Sequence, residues 1–171
     1  DDIGLGFEDQ DIYNLGLDAQ KHRSFLLDYY CQKLDWSPAK GQLFMYNPKT
    51  GDGRITGSAA SLLGLETGLE KKDSGIIKTA LQKIIMLHSI ILSYGGIPLL
   101  YAGDEIGTLN DYSYQKDTSK KEDSRWVNRP KQNWKVIDTL VKKESPQSII
   151  FNEIKNLISI RKRTPVFADH N

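Results

Sequence analysis

The run Gly95-Gly96-Ile97-Pro98-Leu99-Leu100-Tyr101-Ala102-Gly103-Asp104-Glu105 constrains the fold more than any other part of the chain. The glycine pair predicts the end of a preceding helix, because only glycine enters the left-handed cap conformation at low cost. Pro98 can open a strand but cannot donate a ladder hydrogen bond from its middle. Leu99, Leu100 and Tyr101 predict a strand too apolar for a sheet edge, of the kind found in parallel sheets covered on both faces. Gly103 turns the chain, and Asp104 and Glu105 emerge at the strand's C-terminal end, where α/β barrels place their chemistry.

Three segments carry helical periodicity. Leu17, Phe25, Leu26, Tyr29 and Tyr30 predict a helix within 17–34, with Asp18 as its cap. The stripe Ile77, Leu81, Ile84, Ile85, Leu87, Ile91 and Leu92 predicts a core helix within 73–94. Ser145-Pro146 opens a third, with Ile149, Ile150, Ile154, Leu157 and Ile158 as its apolar stripe and Pro165 as its stop. Residues 35–72 are rich in turn formers and read as an irregular lobe with one short helix. Residues 104–135 lack periodicity, and loops of that length are usually functional or disordered. A single strand between helices cannot satisfy its own backbone, so its partners are expected from sequence outside this stretch or from a second copy.

Composition narrows the function classes. With 171 residues the chain could make one ordinary domain, but it is shorter than the roughly 200 to 250 residues of a closed barrel, so a barrel reading would make it a piece of one. A net charge of +1 gives no general field for nucleic acid or an anionic membrane. No apolar run is expected to span a membrane, and no signal peptide is visible in this stretch. The lone Cys31 excludes an intramolecular disulfide and leans toward a reducing, cytoplasmic setting. His22, His88 and His170 form no ligand cluster by spacing, and no metal is expected.

Three phrases carry candidate chemistry. Asp1-Asp2-Ile3-Gly4 taken alone reads as solvated charge. Gly51-Asp52-Gly53-Arg54-Ile55-Thr56-Gly57-Ser58 lacks both the Lys-Ser/Thr ending of a phosphate loop and the acidic ligands of a calcium hand. By itself it reads as a surface turn entering a short helix. Asp123-Ser124-Arg125-Trp126-Val127-Asn128-Arg129-Pro130 alone reads as a cation beside an aromatic face. In this order, and together with the strand-like run, the phrases resemble the α-amylase superfamily of glycoside hydrolases, nearest its amylosucrase and sucrose hydrolase branch. The branch usually carries His where Asn128 stands, which leaves the choice of acceptor open.

The resemblance implies an α/β fold: a fragment of a (β/α)8 TIM barrel, from the end of strand seven to helix eight, mostly helical in isolation. Residues 1–16 would hold the end of strand seven and an active-site loop, and 17–72 an inserted lobe. Residues 73–171 would supply helix seven, strand eight, a second active-site loop and helix eight. The implied reaction is retaining transfer of a glucosyl unit from sucrose to an α-glucan, an oligosaccharide or water. Such chemistry needs a nucleophile and an acid–base about 5 Å apart. The family takes both from strands four and five, so the fragment alone is expected to be inactive. Asp1 would be the third carboxylate, steadying developing positive charge. Asp2 and Arg54 would contact the fructosyl or acceptor sugar. Arg125 would fix the glucosyl ring and pair with an upstream Asp. Asp104 and Glu105 would support the rim of the site from behind. No cofactor is implied. Self-association of the fragment is expected through its bare apolar faces. A related α-glucosidase or trehalose synthase, or a non-catalytic amylase-like barrel, is the alternative.

Overall fold

The computed structural model describes residues 2–132, 134–140 and 143–168. In chain order it contains β1 (Asp2–Ile3), α1 (Asp9–Asn14), α2 (Ala19–Tyr30), β2 (Gln42–Asn47) and β3 (Asp52–Thr56). There follow α3 (Ala59–Leu62), α4 (Leu65–Lys71), α5 (Ser74–Ser93), α6 (Trp134–Leu140) and α7 (Pro146–Arg163). Short 3-10 turns punctuate the later loops at Asp104–Ile106, Tyr112–Lys116, Ser124–Asn128 and Pro165–Ala168.

Side-chain caps set the helix starts that the sequence predicts. Asp18 accepts from the Lys21 amide, and Asp73 accepts from the amides of Gly75 and Ile76. Ser145 and Ser148 cap each other reciprocally ahead of Pro146. Each cap satisfies donors that the first helical turn leaves without partners. The long helices α5 and α7 pack together with α4 around Leu65, Ala80, Leu81, Ile84, Ile150 and Ile154. A second, smaller core gathers Leu5, Leu27, Ile55 and Leu62 beneath the sheet.

That sheet is a correction to the sequence reading. Residues 35–72 hold the antiparallel hairpin β2–β3 and two short helices, where an irregular lobe with one helix was expected. The turn formers Pro48 and Gly51 lie in the hairpin's own loop, which Gly51 closes at φ +74° by donating to Asn47 O at 2.8 Å. The sheet order is β1-β3-β2, antiparallel throughout.

The predicted strand at 98–101 does not form. Ile97–Tyr101 is irregular and pairs with no strand among the described residues, with Ile97 87% and Leu99 81% exposed. The physical reason is the one the sequence anticipates: no neighbouring strand is present to take its backbone groups. The glycine pair also acts differently from expectation. Helix α5 ends in the extended residue Tyr94, and Gly96, at φ +89°, turns the chain beyond it. Arg161 of α7 reaches across to cover this end. Its guanidinium donates to Leu92 O and Tyr94 O at 2.7 Å each and to Gly96 O at 2.6 Å.

Helix α5 corrects a further expectation, since its length and composition do match those of a membrane span. One face of it is nevertheless core, burying Ala80, Leu81, Ile84, His88 and Leu92, while Met86, Ile90 and Ile91 stay exposed.

A polar network ties the hairpin region to the loop after Gly103. Glu66 of α4 is buried and accepts from Lys40 Nζ at 3.2 Å, Ser61 Oγ at 2.5 Å and Tyr112 Oη at 3.0 Å. Asn110 threads the same cluster, accepting from the Ser58 amide at 2.8 Å and donating to Lys40 O at 2.5 Å. Burial works against the Lys40 charge, but the hydrogen bonds and charges of Glu70 and Glu66 outweigh it and raise its pKa. That contribution is therefore complete at neutral pH and is lost only as pH climbs through the raised lysine range. Tyr112 is pushed up to about 12, mainly by burial. Removing Glu66 leaves Lys40 with Glu70 alone and takes the buried acceptor from the hydroxyls of Ser61 and Tyr112. Glu66→Ala should lower stability by on the order of 3 kcal/mol, read as a shift of the urea unfolding midpoint; a midpoint shift below a third of that would show the network to be dispensable.

Candidate functional site

Side chains alternate across a strand, so the hairpin has two faces. The register pairs Leu43 with Ile55 and Phe44 with Arg54. Leu43 and Ile55 face the small core, and Ile55 is fully buried there. Gln42, Phe44, Arg54 and Thr56 share the opposite face by register. The loop following Asp111 lies over that face. Tyr114 Oη donates to Gln42 Oε1, Asn128 Nδ2 donates to Thr56 Oγ1 at 3.3 Å, and Ser124 Oγ donates to Leu43 O at 2.9 Å.

This docking delivers Arg125 to the sheet. Asp123 starts the 3-10 turn Ser124–Asn128 by accepting from the Arg125 amide at 3.0 Å. The same carboxylate takes the Arg125 guanidinium in a bidentate pair, with Nε and Nη2 each at 2.9 Å. The guanidinium lies over the Phe44 ring, 4.5 Å from its centroid. Phe44 pairs with Arg54 in the hairpin register, so the ring beneath Arg125 belongs to the cross-strand neighbour of Arg54. The Arg125 hydrogen bond and charge hold the Asp123 carboxyl below the ordinary carboxylate range.

Beside Arg54 opens a cavity of about 530 Å³, lined by Gly4, Gly6, Gly51, Gly53, Arg23 and Arg54 among others. Asp2 joins the sheet next to it, in register with Thr56. Asp1 lies outside the described residues. Asp104 and Glu105 sit elsewhere in the fold, in a turn bracketed by the left-handed residues Gly103 (φ +105°) and Gly107 (φ +57°) and packed on α7. Glu105 Oε2 accepts from the Gly103 amide at 2.7 Å, a local structural bond. Burial raises the Asp104 pKa, and the charge of His88 partly offsets that rise. His88 is buried on α5 with Nδ1 at 2.8 Å from Ile84 O. The two carboxylates thus hang on helices α5 and α7, and the two arginines on the hairpin and its covering loop.

Sequence reasoning did not single out Arg23, Phe44 or Asp123. Phe44 belongs to a strand whose alternation is only a few residues long, and Asp123 stands two positions from an arginine already chosen. Arg23 bonds back to Leu5 O, Phe7 O and Asp9, contacts that no spacing rule announces. Among the described residues no cluster of three or more His, Cys, Asp or Glu side chains forms a metal site. Burial pushes the Cys31 thiol up to about 11, which makes it a poor nucleophile at neutral pH.

No protein-family model matches the chain. The chain is similar to a glucosylglycerate phosphorylase of Escherichia coli K12, with 29% identity over 90 residues. The matched stretch is 52% of this chain and 16% of that relative's length. The similarity is thus to a carbohydrate-active enzyme, of the phosphorylase kind by its name and not an amylosucrase.

The Asp123–Arg125 pair makes a direct forecast. A carboxylate with a depressed folded pKa stabilises the fold above its ordinary range, and the benefit is lost as pH falls through the depressed value. Carbon-13 NMR titration should find Asp123 titrating below the ordinary range and Asp104 above it. Arg125→Ala should return Asp123 upward and leave Asp104 unchanged; an unmoved Asp123 would show that the pair does not persist in solution.

Proposed function

We propose that the chain is part of a carbohydrate-active enzyme that transfers a glucosyl unit from sucrose or a related α-glucoside. In this reading it is a fragment of a (β/α)8 barrel: the end of strand seven, an inserted lobe and the strand-eight region with its helices. Asp1 steadies positive charge on the sugar, and Asp2 stands with Arg54 on the side of the leaving or accepting group. Arg125 holds the glucosyl ring, and the nucleophile and acid–base lie outside this stretch, so the chain by itself turns over nothing. The observation that carries the reading is that Arg54 lines a roomy cavity while Arg125 lies over Phe44, the cross-strand neighbour of Arg54. A planar guanidinium suits both a carboxylate and sugar hydroxyls. The likeness to a phosphorylase of a glucosyl compound supports glucosyl transfer as the reaction class. The segment Ile97–Tyr101 supports the fragment reading, because an apolar run outside any sheet ladder, with Ile97 and Leu99 exposed, suits a sheet completed by other strands.

The two arginines should fail differently in the full-length enzyme. Every productive substrate must place its glucosyl ring against Arg125, so Arg125→Ala should depress hydrolysis and transfer alike by about two orders of magnitude, at roughly 1.4 kcal/mol per decade. Arg54→Ala should cost less and should shift the ratio of transfer product to free glucose. Steady-state kinetics on sucrose, with and without added acceptor, measure both; an equal loss of both products in Arg54→Ala would make the lobe structural.

The bare face has its own test. Met86, Ile90 and Ile91 of α5 lie exposed, and Ile97 and Leu99 extend the apolar surface beyond the helix. Exposed apolar patches drive association. The 171-residue chain should scatter light as a dimer or larger species at micromolar concentration, and a monodisperse monomer would count against the fragment reading.

A further inference from the structure

Aspartate precedes glycine, alanine or serine four times in the chain, at Asp18-Ala19, Asp52-Gly53, Asp73-Ser74 and Asp123-Ser124. In such pairs little side-chain bulk shields the following backbone nitrogen from the aspartate carboxyl group. Three of the four carboxylates are occupied elsewhere. Asp18 accepts from the Lys21 amide, and Asp73 accepts from the amides of Gly75 and Ile76. Asp123 grips Arg125. Asp52 differs, because it is exposed and its side chain makes no hydrogen bond or ion pair with a described residue.

Gly53 stands where the hairpin ladder is broken. The register pairs Asn47 with Asp52 and Phe44 with Arg54, so Met45 and Tyr46 together oppose Gly53. A bulge of this kind disrupts the ladder locally. Met45 takes φ +51° there, a conformation costly for any residue with a Cβ. A Cβ on Gly53 would come within 3.0 Å of Tyr46 Cδ2, so the position suits glycine. Glycine's backbone freedom in turn lets its nitrogen reach conformations that a regular strand denies. We infer that Asp52-Gly53 is a modification site, at which the backbone isomerises spontaneously to isoaspartate. The Gly53 nitrogen attacks Cγ of the protonated Asp52 carboxyl group. The N–Cγ bond forms, the Cγ–O bond breaks, and water leaves with the amide proton. A second water adds to the main-chain carbonyl carbon of Asp52 and breaks its bond to nitrogen, so the chain now runs through Cγ. The product carries one more backbone atom in β3 between the two pairs that flank the bulge. Over that span β2 already has one residue in excess, so the added atom narrows a mismatch. The change falls just before Arg54, on the cavity wall, and leaves the buried Ile55 in its core.

The test needs no catalysis. The folded 171-residue protein would be incubated in mildly acidic buffer made with oxygen-18 water, then digested in ordinary water and mapped by electron-transfer mass spectrometry. That fragmentation distinguishes isoaspartate from aspartate, and the label marks the hydrolysis that occurred during incubation. Labelled isoaspartate should accumulate at position 52 at least tenfold faster than at position 73 or 123. Its rate there should stay within tenfold of the rate in the urea-unfolded chain. Asp52→Glu should end the labelling, because glutamate would have to close a larger ring. The isoaspartate-bearing protein should keep the urea midpoint of the fresh protein. Isomerisation at 73 or 123 as fast as at 52, or at 52 only after unfolding, would overturn the inference. A lowered midpoint in the modified protein would overturn the accommodation by the bulge.

Discussion

Glu66 is a buried carboxylate on a short helix, and the regions around it meet through its two oxygens. One oxygen takes the Lys40 ammonium and the Tyr112 hydroxyl, and the other takes the Ser61 hydroxyl. Lys40 immediately precedes the hairpin region, Ser61 lies in α3, and Tyr112 begins a turn in the long loop. Lys40 also bonds Glu70 one turn along α4, so the buried carboxylate is not left to neutralise it alone. Buried ion pairs contribute little net stability against an apolar replacement, and their better-attested use is to select one arrangement over others. Here the arrangement selected is the seating of the long loop against the hairpin. The placement of Arg125 depends on that seating.

The site is assembled by a different device, a strand pair with unlike faces. Ile55 sits in a dry core on one side, while Phe44 and Arg54 hold the other side open for the loop. Phe44 serves as a rest for Arg125, and Asp123 grips the same guanidinium from the loop's own backbone turn. An arginine stacked on a ring and gripped by a carboxylate has lost most of its rotameric freedom before any ligand arrives. Arg54, which has no such restraint, is free to adjust. One fixed cation over Phe44 and one adjustable cation on the neighbouring strand suit a site that holds one group constant while another varies.

Much of this frame was legible in the sequence. The starts of α2, α5 and α7 follow from Asp18, Asp73 and Ser145, whose short polar side chains suit the first turn of a helix. The turn at Gly103 was legible because its φ of +105° is cheap only for glycine. The hairpin was not, since its strands are short and its loop formers mimic irregular chain. The strand at 98–101 was over-read, because apolar character marks what a segment prefers and pairing depends on what lies next to it. Of the site, Arg54 and Arg125 were legible through the phrases around them. The seat of Arg125 on Phe44 was not, because a contact between a strand and a loop some eighty positions away leaves no local trace.

The parity of the hairpin has a consequence for how such a protein can change. Arg54 and Ile55 are adjacent in sequence yet belong to separate environments, one wet and one fully enclosed. Exchange at position 55 of β3 perturbs the small core, while exchange at the exposed position 54 alters what the cavity meets. Ligand preference can therefore drift along one register of the strand without drawing on the stability held by the other. A lineage that gains or loses an arginine at position 54 explores new chemistry on an unchanged foundation.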